Sequence, residues 1–81
     1  MPTLFVLDVA EFAPLVAAAR KRGDIAVTDA KAGYFRLSCE DDLRIERAET
    51  GLTEALWFSA FTGGFKGGSL DVDSTRFVIA A

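Results

Sequence analysis

With 81 residues and a net charge of −3, the chain is long enough for one hydrophobic core and too short for two. Apolar residues make up 51% and charged residues 26% of it, which excludes the low-hydrophobicity, high-charge class of disordered chains. The acidic balance and scattered basic residues exclude the broad positive surface that binds nucleic acid, and the apolar stretch Ala55 to Phe61, which contains Ser59, falls far short of the roughly 20 residues that span a bilayer.

In chain order, Leu4-Phe5-Val6-Leu7 is a short apolar run closed by Asp8 and reads as a buried strand. Phe12, Leu15, Val16 and Ala19 then recur at helical spacing on one stripe, which predicts an amphipathic helix over about 12–22 that stops at Gly23. Pro14 lacks an amide hydrogen, so regular helix starts near Glu11 or Phe12. Arg20, Lys21 and Arg22 fill the last turn, where cations face the negative end of the helix dipole. Ile25 to Thr28 reads as a second strand, and Asp29 to Gly33 as the loop that follows.

Tyr34 to Cys39 alternates, with Phe35, Leu37 and Cys39 on one face. Leu43 to Ala48 alternates again after the acidic turn Glu40-Asp41-Asp42, which predicts a hairpin of the two segments. Thr50 to Gly64 is apolar nearly all round; its Ala, Leu and Glu content and Gly63 favour a short buried helix over about 52–61 rather than a strand. A tight turn at Asp73-Ser74 would close a terminal hairpin, setting Asp71 opposite Arg76 and Leu70 opposite Phe77. The expected fold is α+β: one domain over 1–81, with an antiparallel or mixed sheet of five or six strands, the helix over about 12–22 and the second short helix.

Few residues carry chemistry. Histidine is absent and Cys39 is alone, which removes Ser-His and Cys-His catalysis, thiolate zinc sites and disulfides. A lone cysteine and no signal-peptide pattern make the cytoplasm the expected location. Cys39 falls on the apolar face of its strand and is expected to be buried and inert. Glu40-Asp41-Asp42 lacks the ligand spacing of a calcium loop, and Gly63-Gly64-Phe65-Lys66-Gly67-Gly68-Ser69 has neither P-loop nor dinucleotide spacing. No metal or cofactor is expected. Met1-Pro2 ahead of an apolar strand resembles the start of the tautomerase family, whose small β-α-β members use an N-terminal proline as general base. The resemblance is confined to these first residues, the following helix is shorter than that family's, and the amine is expected to be blocked by Met1. Catalysis at Pro2 is not expected.

Trp57, Phe58, Phe61 and Phe65 form the densest apolar cluster, more than one side of a short segment can hide. They are the candidate interface or ligand-binding residues. Two functions follow. The leading one is a non-enzymatic interaction module or accessory subunit acting as a homo-oligomer, most simply a dimer, since one short helix cannot cover an open sheet. The alternative is a small-molecule-binding protein or isomerase-like enzyme, with Trp57, Phe58, Phe61 and Tyr34 around a pocket and Arg36 or Lys66 receiving an anionic group.

Overall fold

The computed structural model describes residues 1–29 and 31–81. Seven strands among these residues form two antiparallel sheets, of four and three strands. The strands are β1 (Thr3–Leu7), β2 (Ala26–Asp29), β3 (Tyr34–Ser38), β4 (Leu43–Glu46), β5 (Phe65–Lys66), β6 (Leu70–Val72) and β7 (Arg76–Ile79). The helices are α1 (Ala13–Lys21), α2 (Arg47–Thr50) and α3 (Glu54–Ser59). The expected α+β class therefore holds. The expected single sheet of five or six strands is corrected to two sheets with strand orders β2-β3-β1-β5 and β4-β7-β6.

The correction turns on β3 and β4, which do not form the expected hairpin. β3 pairs with β1 and β2, and β4 pairs with β7. Their alternation reports only that each has one buried face, and Leu37, Leu43 and Ile45 are all buried; it does not choose the partner. Glu40 to Asp42 therefore connect the two sheets instead of turning a hairpin. The expected strand from Leu43 to Ala48 ends at Glu46, because the Glu49 carboxylate accepts the Glu46 amide at 2.9 Å and closes a capping box that opens α2. Gly51, at φ 72°, ends that single turn in the left-handed region.

α1 agrees with its periodicity: Phe12, Leu15, Val16 and Ala19 are buried. A 3-10 turn, Ala10–Phe12, precedes it, and Pro14 lies in its first turn. At its end, Arg22 donates to both carboxylate oxygens of Asp24 at 3.1 Å and to the Arg44 carbonyl at 3.0 Å, tying the helix to β4. Lys31–Gly33 make a 3-10 turn inside the expected loop, whose Ala30 lies outside the described residues.

The terminal hairpin exists, but its turn lies one residue later than expected. Leu70 pairs with Ile79, Asp71 with Val78 and Val72 with Phe77, so Asp71 is not opposite Arg76 and Leu70 is not opposite Phe77. Asp73 causes the shift: its Oδ1 accepts from the amides of Thr75 and Arg76, at 2.8 and 3.0 Å, and from the Thr75 hydroxyl at 2.8 Å. That side-chain cap makes Ser74 and Thr75 the turn residues. Leu70, Val72, Phe77 and Ile79 still share one face.

The core lies between the sheets. Leu4, Val6 and Leu37 from the first, Leu43, Ile45, Phe77 and Ile79 from the second, and Leu15, Ala19 and Trp57 from the helices are all buried there. No helix among the described residues is long and apolar enough to cross a membrane.

Candidate functional site

The segment around Trp57 is helical, as favoured. Thr53 caps α3 by accepting the Leu56 amide, and the 3-10 turn Ala60–Gly63 follows without a break. Helical spacing divides Trp57 and Phe61 from Phe58, and Phe65 lies beyond, in β5. Trp57 is fully buried, meets Phe61 edge-on at 5.7 Å, and lies 5.6 Å from Phe77. Phe61 is half-buried and also meets Phe77 edge-on, at 5.0 Å. The Trp57 indole donates to the Asp73 carbonyl at 2.7 Å, so its one polar atom is satisfied. Phe58 and Phe65, by contrast, are 43% and 41% exposed. The cluster is thus half core and half surface.

The residues of the alternative pocket are not brought together as a group. Tyr34, Arg36 and Lys66 belong to the outer face of the four-stranded sheet, since Tyr34 pairs with Leu7, Arg36 with Phe5 and Lys66 with Thr3, and opposed residues share a face. Trp57 lies against Phe77 on the inner face of the other sheet. Three surface clefts are lined by other residues. One of about 270 Å³ lies between α1 and β3, against Val16, Ala17 and Phe35.

The outer face of the four-stranded sheet was not singled out from the sequence. α1 packs on the opposite face, where Val16 and Phe35 meet in one cleft, and every residue on the outer face is exposed or half-buried. Phe5, Leu7 and Tyr34 form its apolar end, and the Arg36 guanidinium lies 5.8 Å over the Phe5 ring. The signal was present in the run Leu4 to Leu7, but an unbroken apolar run hides which side is covered. Gly63 fits this edge closely: a Cβ there would overlap the Phe5 carbonyl oxygen and lie 3.1 Å from the Tyr34 ring.

Pro2 is fully buried and its carbonyl accepts the Cys39 amide at 3.3 Å. Cys39 is buried as expected, with its thiol donating to the Asp41 carbonyl at 2.9 Å; burial, then the nearby Asp24 and Asp41 carboxylates, push its pKa up. No group of three or more metal-ligating residues occurs among the described residues. The basic triplet disperses: Arg20 reaches Asp29 at 3.6 Å and lies over Phe35, while Arg22 pairs with Asp24 and Glu49. Arg76 Nη1 is buried without a hydrogen-bond partner. No family model matches the sequence, and no curated protein matches it.

Proposed function

We propose that the domain is a non-enzymatic interaction module that works as a homo-oligomer, most simply a dimer. The supporting observation is the division of the aromatic cluster. Trp57 and Phe61 complete the core, whereas Phe58 and Phe65 leave about two-fifths of their surface in water. Each exposed ring forgoes on the order of 1 kcal/mol of burial. Aromatic side chains at the surface next to a rigid core are the anchors on which protein interfaces concentrate their affinity.

Light scattering on a size-exclusion column, run over a concentration series, tests the reading. The wild-type protein is expected to give a dimer mass that falls on dilution. Phe58→Ser and Phe65→Ser are expected to weaken association by about tenfold or more while the fold persists, since neither side chain is core. A wild-type chain that remains monomeric at high micromolar concentration rejects the proposal.

A further inference from the structure

We infer that the outer face of the four-stranded sheet docks an acidic, amphipathic segment of a partner protein. The face has an apolar end, made by Phe5, Leu7 and Tyr34, and two cations, Arg36 and Lys66. Arg20, Arg22 and Arg44 are held in ion pairs within the chain, whereas Arg36 and Lys66 enter none among the described residues. No acidic residue occupies the outer-face positions of β1, β2, β3 or β5. Arg36 rests its guanidinium over Phe5, which orders it while leaving its charge uncompensated.

Charge selects the occupant. The same face of a second copy would set cations against cations, with no carboxylate to compensate them, which disfavours self-docking here. A nucleic acid strand could stack on the aromatic rings, but two cations on a chain of net charge −3 neutralise too few phosphates for appreciable affinity. An acidic helix satisfies both parts. Lys66 is two strands and two residues removed from Arg36, a Cα separation of about 12 Å from the strand spacing and rise. Carboxylates seven residues apart on one helix are about 10.5 Å apart, and apolar residues beside and beyond the one that meets Arg36 face Phe5, Leu7 and Tyr34. This surface is distinct from Phe58 and Phe65, so it stands or falls independently of self-association.

The test is a two-dimensional NMR titration at a protein concentration where the chain is monomeric. The probe is a synthetic helical peptide with leucine along one face and glutamate at seven-residue spacing beside it. Shift changes are expected to centre on Phe5, Leu7, Tyr34, Arg36 and Lys66. Arg36→Glu is expected to raise the dissociation constant at least tenfold, and Lys66→Glu severalfold; Lys21→Glu, at the exposed end of α1, leaves it unchanged. Any of three results overturns the inference: no change on this face at millimolar peptide, equal binding of the peptide with lysine in place of glutamate, or tighter binding of an oligouridine.

Discussion

Trp57 and Asp73 are joined by a 2.7 Å hydrogen bond from the indole N–H to a backbone carbonyl, and the side chain of the same aspartate organises the hairpin turn between β6 and β7. One residue therefore anchors the buried ring of α3 and sets the register of the last two strands.

Shortening the indole tests this link. Trp57→Phe removes the indole N–H together with part of a fully buried ring, so it both leaves the Asp73 carbonyl without its partner and opens a cavity, which together cost about 2–4 kcal/mol. For a domain of this size the melting temperature should drop by roughly 10 °C or more, as read by circular dichroism. An unchanged melting temperature would mean that the indole contributes nothing net.

Asp73 also confers a pH dependence. Hydrogen bonds from the Thr75 side chain and from the Thr75 and Arg76 amides hold its carboxyl down at about 2, below the value of about 3.9 expected in the unfolded chain. The unfolded state binds the proton more tightly, so this contribution is complete above about pH 4 and fades as pH falls toward 2. Asp73→Asn should be less stable than wild type at pH 7, with the two denaturation midpoints converging between pH 4 and pH 2. A difference independent of pH would assign the effect to something other than ionisation.

Two glycines should respond oppositely to alanine. At Gly63 the new methyl group meets the Phe5 carbonyl, and forced overpacking of this kind costs roughly 1–3 kcal/mol. At Gly23 no atom lies within 4 Å of an added Cβ; Gly23→Ala should be neutral or stabilising by up to about 1 kcal/mol, because it restricts the unfolded chain. Urea midpoints of the two variants give the comparison directly.

The Cys39 thiol should be nearly inert in the folded protein. It is buried and its pKa is raised, so the reactive thiolate is scarce and shielded. Alkylation at pH 8 should run at least tenfold slower in buffer than in denaturing urea. Equal rates would place the thiol at the surface.

Local structure was legible where a period and its boundary signals agreed. The stripe from Phe12 to Ala19 gave α1, and the residues before Gly63 gave α3. Pairing was less legible, for a physical reason. Alternation from Tyr34 to Cys39 fixes which face is apolar, but the choice between β4 and β1 as partner rests on contacts far away in the chain. The terminal register differs from the expected one because Asp73, a turn residue by type, acts as a cap for the amides that follow. Trp57, Phe58, Phe61 and Phe65 were visible as an excess of apolar surface; which of them reach water depends on the angular spacing along α3 and its 3-10 extension and, for Phe65, on its place in β5. The run Leu4 to Leu7 predicts that Phe5 and Leu7 are interior, since nothing in four successive apolar residues announces that one sheet face is uncovered.

The order of strands in space has a consequence for the chain while it is being synthesised. β1, near the start, lies between β3 and β5, and β7, near the end, lies between β4 and β6. A growing polypeptide that has reached α3 therefore holds Ile45 without the Phe77 that pairs with it, and Leu43 without Ile79. No early portion can seal its own interior. Closure must await residue 79, so folding becomes one late cooperative event, and the unfinished chain offers sticky strands to its neighbours until then.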